Sequence, residues 1–166
     1  MSLKISIKTC KFRDAKFLLN TYNFAVKNDF FSSRKKVALL DHNKWLKSKL
    51  KNKSSKIYIG YKNKKRFGYV RFESTEKKVY QVSICNAPKF YGMGLGNKML
   101  SLGIKKFTKL KKPKKIVCIV KKNNKRSEKC FLKKGFIKTI FNKKKHSAIN
   151  KINTKKENYY EYKPKI

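Results

Sequence analysis

Between Pro88 and Leu100 the chain reads PKFYGMGLGNKML, with Gly92, Gly94 and Gly96 at every second position and helix-forming residues after them. A glycine cluster between an apolar strand and a helix lets backbone come close to a neighbour, because no Cβ stands in the way. The chemistry within reach is anion binding. Backbone N–H groups at a helix N-terminus point at a phosphate, and side chains would block the approach. Two phosphate patterns fail on these residues. The P-loop GxxxxGK[S/T] fails because Asn97 and Lys98 follow Gly96, with no Ser or Thr. The dinucleotide fingerprint GxGxxG has another spacing and needs an acid about 20 residues on, where this chain carries lysine near position 115. A tight strand–helix joint that merely needs glycine stays open as the plain alternative.

Other residues could handle a proton. Arg71 and Glu73 lie two apart on one strand and so share a face. Glu73 is one of only eight acids, and it could be a base, a partner of Arg71, or both. His42 and Trp45 open a short helix, where a capped helix residue and a core anchor are their ordinary readings.

These residues need a scaffold, and the flanking patterns supply one. LKISIK alternates as a half-buried strand. DAKFLLNTYNFAV follows as a helix, with Asp14 at its N-cap and Phe17, Leu18, Tyr22 and Val26 near helical spacing. VKNDFFSS reads as an aromatic loop. DHNKWLKSKL is a second helix capped by Asp41, with His42, Trp45, Leu46 and Leu50 on one face. SKIYIGY and RFGYVRFES form a hairpin across KNKK, and KKVYQVSICNAP is a third strand closed by Pro88. GNKMLSLGIKKFTKL is a helix in which Gly103 allows close packing on a sheet. KKIVCIV is a buried strand, RSEKCFLKKGF a short helix ended by Gly135, and FIKTIF and NYYEYKP the last strands. The order is β-α-α-β-β-β-α-β-α-β-β. An α/β (α+β) chain follows, read as a single domain over residues 1–166 with a basic loop at about 142–157.

Composition narrows the class. The chain of 166 residues is 40% hydrophobic and 13% aromatic, enough to bury a core, so it is no disordered polycation. No stretch reaches the roughly 18 apolar residues of a membrane span. The N-terminal MSLKISIKTCKFR lacks the apolar centre of a signal peptide, so a cytoplasmic location is expected. Cys10, Cys85, Cys118 and Cys130 are far apart without metal-ligand spacing, so reduced thiols and no structural zinc are expected. The net charge is +39, yet only Arg13, Arg34, Arg66, Arg71 and Arg126 are arginine. Nucleic-acid readers favour Arg for its bidentate fork. Lysine spread through nearly every segment fits compositional bias on a solvated surface, with nucleic acid attracted only non-specifically.

The glycine segment resembles the pyrophosphate loop of the GNAT acetyltransferase superfamily, (Gln/Arg)-x-x-Gly-x-(Gly/Ala) between the fourth strand and the third helix. Downstream, Asn124, Ser127, Phe131, Gly135 and Phe136 are similar to its second hallmark, N-x-x-S-x-x-x-(Tyr/Phe)-x-x-x-G-F, which lines the pantetheine arm. The two motifs come in the family's order, and the resemblance covers about residues 3–141. It implies a mixed central sheet of about seven strands flanked by about four helices. It implies acetyl-CoA as co-substrate and no metal, with coenzyme contacts from Ile84, Cys85, Tyr91, Gly92, Met93, Gly94, Leu95, Gly96, Asn97, Asn124, Ser127 and Phe131. Two departures matter. Tyr91 replaces Gln or Arg, which leaves more of the phosphate grip to backbone amides and to lysines such as Lys89. Phe131 replaces the Tyr that often protonates the leaving thiolate, and Phe has no proton to give.

The resemblance also implies an acceptor. The stretch VKNDFFSS followed by DHNKWL is similar to an N-D…S…H-x-x-W subgroup that acetylates nucleotide-linked amino sugars, as in the pseudaminic-acid pathway. It implies Asn28, Ser33, His42 and Trp45 around the acceptor; Arg71 joins them as a candidate for acceptor binding, and Glu73, Ser83 and His42 are the candidates for catalysis. The expected partner is then a small-molecule amine, foremost a UDP-amino sugar, with a homodimer open. A protein N-terminal or ribosomal-protein acetyltransferase and a non-catalytic nucleic-acid-binding module on this fold are the alternatives. The strong positive field opposes very basic peptides as substrates.

Overall fold

Alternation of apolar and polar residues runs through residues 55–86, and three antiparallel strands result, β2 (Ser55–Lys62), β3 (Lys65–Glu76) and β4 (Val79–Asn86). The computed structural model describes residues 4–31, 35–142 and 152–164. Asn63 and Lys64, at φ 47° and 69°, make the two-residue turn from β2 to β3, whose left-handed backbone matches the strand twist. With β1 (Ile5–Thr9), β5 (Lys115–Lys121), β6 (Ile137–Thr139) and β7 (Glu157–Tyr162), they build a seven-stranded mixed sheet in the order β1-β2-β3-β4-β5-β7-β6. Among the described residues only β4 and β5 run parallel. Four helices flank the sheet: α1 (Ala15–Lys27), α2 (Leu39–Lys51), α3 (Leu95–Lys111) and α4 (Lys125–Lys133).

The two-residue period of β3 sends neighbouring side chains into two cores. Tyr69 joins Ile57, Ile59, Cys85, Leu18, Ala25 and Leu46 beneath α1 and α2. Val70 and Phe72 join Val82, Met99, Leu100, Phe107, Ile116 and Phe131 beneath α3 and α4, with Phe72 stacked on Phe107 at 4.1 Å. Gly103 lets α3 sit directly on β3, since a Cβ there would lie 2.8 Å from Val70 Cγ1.

Several sequence expectations need correction. Asp14 stands at the N-cap of α1 but does not cap it. Its carboxylate accepts from Lys11 N–H at 3.0 Å and from Arg66 at 3.1 Å, because folding brings a stronger donor within reach. Ala38 occupies the cap position of α2, and Asp41 lies inside the first turn, where its charge still opposes the helix dipole favourably. Leu50 is 38% exposed rather than on the buried face. Within the expected basic loop at 142–157, residues 143–151 lie outside the described residues. Asn153 to Lys156 then form a turn that leads into β7.

Candidate functional site

The parallel pair is short. Val79, Tyr80 and Gln81 pair with Lys115, Ile116 and Val117, and beyond them the strands part. β4 stays paired with β3 up to Asn86, and β5 with β7 up to Lys121. Alternate backbone N–H and C=O groups of residues 82–86 therefore face a gap instead of a strand. The gap is the floor of a cleft of about 630 Å³.

One wall is the glycine segment. A single turn at Pro88–Phe90 leads into Gly92 at φ +85° and Gly94 at φ +69°, conformations that other residues resist. A Cβ on Gly94 would meet nothing within 4 Å, so the loop is bare on its open side. No side chain caps α3, which leaves its first N–H groups for another acceptor. The opposite wall is the start of α4. Asn124 accepts from Ser127 N–H at 3.1 Å, capping the helix while its residue lines the cleft. Arg126 lies over the Tyr91 ring, its guanidinium carbon 4.5 Å from the centroid.

Of the expected coenzyme contacts, Ile84, Cys85, Tyr91, Gly92, Gly94, Gly96, Asn97, Asn124, Ser127 and Phe131 come together around this cleft, with Ser83 beside them. Met93 is 57% exposed and is not among the lining residues, and Leu95 is buried in the core.

The expected acceptor residues mostly lie elsewhere. Asn28 ends α1, its amide donating to the Phe24 carbonyl at 2.8 Å, and it does not line the cleft. Ser33 lies outside the described residues. His42 is buried 5.3 Å from the Trp45 ring, and Trp45, also on α2, is partly buried against the core beneath that helix. Burial lowers the His42 pKa below 6.5, opposed in part by a hydrogen bond to the Ala15 backbone. Arg71 lies 5.4 Å over Trp45 and pairs with Glu73 at 3.1 Å, although its Nε–H is not aimed as a hydrogen bond. Glu73 also pairs with Lys49. It lines a separate polar pocket of about 220 Å³, and Gln81 is shared by that pocket and the cleft.

The cleft holds residues the sequence reading missed. Tyr22 and Phe31 stack at 5.7 Å, Phe30 stacks on Tyr91 at 4.7 Å, and Lys35, Lys121 and Arg126 bring positive charge. The available signals were the aromatic character of VKNDFFSS and the one arginine inside the Asn124–Ser127 segment. Lys121 ties the end of β5 to Asp29: its Nζ lies 2.5 Å from the Asp29 carboxylate and donates to the Asp29 carbonyl at 3.2 Å. That contact holds the Asp29 pKa down. Burial pushes the Cys85 thiol up to about 12 and the Cys130 thiol up to about 11, so both stay protonated. Among the described residues no three His, Cys, Asp or Glu side chains come together to hold a metal. No described helix is long and apolar enough to cross a membrane.

An uncapped helix start, two left-handed glycines and flanking cations suit a diphosphate, and the gap between β4 and β5 suits an extended amide-bearing arm. Comparison with known proteins places the family and the fold. The acetyltransferase (GNAT) family matches over residues 20–136. No curated protein matches the chain in sequence. A solved ribosomal-protein-alanine N-acetyltransferase from Brucella melitensis is similar at TM-score 0.79 and 16% identity, covering 96% of this chain and 99% of its own. The Campylobacter jejuni N-acetyltransferase PseH, in complex with acetyl coenzyme A, gives 0.70 and 16%, covering 98% and 100%. A domain from Methanocaldococcus jannaschii gives 0.78 and 21%, covering 98% and 100%. At such identities the likeness is one of fold.

Proposed function

The chain belongs to the acetyltransferase (GNAT) family, and from that premise we propose that it transfers an acetyl group from acetyl-CoA to a primary amine by direct attack. The acceptor in this reading is the amino group of a nucleotide-linked sugar. The observation that carries the reading is the open gap between β4 and β5, with the glycine loop at one side and the start of α4 at the other.

The residues have distinct tasks. Backbone N–H groups of the N-terminal turn of α3, with Arg126, hold the diphosphate. N–H groups of β4 facing the gap polarise the thioester carbonyl, on which negative charge develops as the amine attacks. The new C–N bond forms as the C–S bond breaks. Cys85 and Cys130 are thiols at neutral pH and not nucleophiles, which favours direct transfer over an acyl-enzyme. The amine must shed a proton. Ser83 is the β4 residue that brings a hydroxyl to the cleft, and Gln81 borders both the cleft and the Glu73 pocket. We assign the proton route from Ser83 past Gln81 to Glu73 through water. Phe131 offers no proton to the leaving thiolate, so solvent supplies it.

The acceptor side supports a nucleotide. The Tyr22–Phe31 ring pair offers a stacking surface for a base, and Lys35 and Lys121 suit its phosphates. Titration calorimetry with acetyl-CoA tests the coenzyme, and absence of binding at millimolar ligand would sink the enzymatic reading. Thiol release against UDP-amino sugars and against peptides tests the acceptor. Turnover on peptides alone would replace the sugar by a protein N-terminus.

A further inference from the structure

Three segments distant in sequence meet at one ring. Phe30, in the connection from α1 to α2, stacks on Tyr91 with centroids 4.7 Å apart and planes 11° from parallel. Phe24 of α1 meets both rings edge-on, at 6.2 Å and 6.0 Å. Arg126, the second residue of α4, puts its guanidinium carbon 4.5 Å from the same Tyr91 centroid. Phe30 and Arg126 thus both pack on the Tyr91 ring. Gly92 makes room for the arrangement, since a Cβ there would lie 3.3 Å from an Arg126 terminal nitrogen. All of Phe30, Tyr91 and Arg126 border the cleft.

An arginine seated on an aromatic ring can still turn N–H groups to a phosphate and bind it bidentately. The ring that seats this arginine also holds the connection that carries Phe31 to its stack on Tyr22. Lys121 pins the residue before Phe30 through its ion pair with Asp29. The coenzyme side and the acceptor side of the cleft therefore share one column of contacts.

Resting on the acetyl-CoA reading above, we propose that Tyr91 is a positioning residue that couples the two substrates: it seats Arg126 for the coenzyme diphosphate and, through Phe30, sets the acceptor-side segment. A diphosphate held by Arg126 fixes the column, and the fixed column fixes Phe30 and Phe31. Such coupling is reciprocal, and a factor of about 5 or more between the two sites is its ordinary size.

The test needs no knowledge of the acceptor. Free coenzyme A is the probe, and hydrogen exchange at Asp29 and Phe30 is the readout. Those amides are bonded to the carbonyls of Val26 and Ala25, so their exchange reports opening of the segment. Coenzyme A at saturation should slow their exchange in the wild type by about fivefold or more. Tyr91→Phe should behave as wild type. Tyr91→Leu should still bind coenzyme A, more weakly, yet show no slowing at saturation. Phe30→Leu, which leaves the phosphate loop intact, should lose the slowing in the same way. Equal slowing in the wild type, Tyr91→Leu and Phe30→Leu overturns the proposal. So does coenzyme A binding to the wild type with no slowing at all. Failure of coenzyme A to bind the wild type is a different result: it removes the acetyl-CoA reading, and this proposal falls with it.

Discussion

Replacing Gly94 by alanine separates a glycine needed for a ligand from one needed for a turn. Gly94 has φ +69°, and an added Cβ would touch nothing within 4 Å. The folded protein therefore bears only left-handed backbone strain, about 1–2 kcal/mol for an L-residue. Unfolding entropy of about 2.1 cal/mol/K per residue over 166 residues is about 350 cal/mol/K, so Tm should fall by about 3–6 °C. The same methyl would stand on the bare side of the loop, where a phosphate must approach. Loss of one hydrogen bond to a charged group costs about 1.5–3 kcal/mol, or about 10- to 150-fold in Kd. Gly135→Ala is the control. Gly135 also has positive φ, +92°, and its Cβ would make only ordinary contact with Tyr162 at 3.7 Å, at the far end of α4. Thermal scans should show similar losses for the two variants, while calorimetry should show weaker acetyl-CoA binding for Gly94→Ala alone. Equal Kd values in both variants would refute the reasoning and reduce the glycine segment to a tight turn.

Three further outcomes are expected. Gly103→Ala should lower stability by about 1–3 kcal/mol through overpacking, since its Cβ would meet Val70 Cγ1 at 2.8 Å; adding Val70→Ala should recover part of the loss in a double-mutant cycle, and acetyl-CoA affinity should not change. Burial holds the His42 pKa below 6.5 in the folded state, so the unfolded chain takes up the proton first and stability declines as pH falls through that value. Urea midpoints measured at about pH 7.5 and 5.5 should fall less for His42→Gln than for the wild type, and an identical fall would exclude His42 as the cause. Cys85 and Cys130, raised to about 12 and about 11, should react slowly with a thiol reagent at neutral pH, and acetyl-CoA should slow them further; rapid reaction without unfolding would contradict their burial.

Much of the scaffold was legible because local rules decide it. Period-two alternation marked β2 to β4, and the left-handed turns at Gly92 and Gly94 demand a residue without Cβ. Asn124 was readable as well, since the same amide that lines the cleft caps α4. The acceptor side was not legible to the same degree. A motif names His42, Trp45 and Asn28 but does not say which way α1 and α2 are rolled against the sheet. The rolling is set by which residues fill the core, and Leu46 and Leu18 win that contest. Arg126 was hidden for another reason. Its neighbour Tyr91 lies on a different element, and only the meeting of α4 with the glycine loop brings them together. The place of Glu73 follows from its register opposite Gln81, which no single-strand pattern reveals.

The two edges of the sheet bear on how the protein behaves in a tube. β1 spans five residues and β6 three, and each carries an exposed lysine, Lys8 and Lys138. Short, charged edges resist pairing with a second sheet. However, Ile137 in β6 and Ile140 just after it are 68% and 94% exposed. The charge of +39 keeps such edges apart at low ionic strength. At about 1 M salt the screening length shrinks to about 3 Å and this colloidal barrier collapses. High salt, the usual remedy for a basic protein that drags nucleic acid along, should therefore bring this one out of solution by edge-to-edge association.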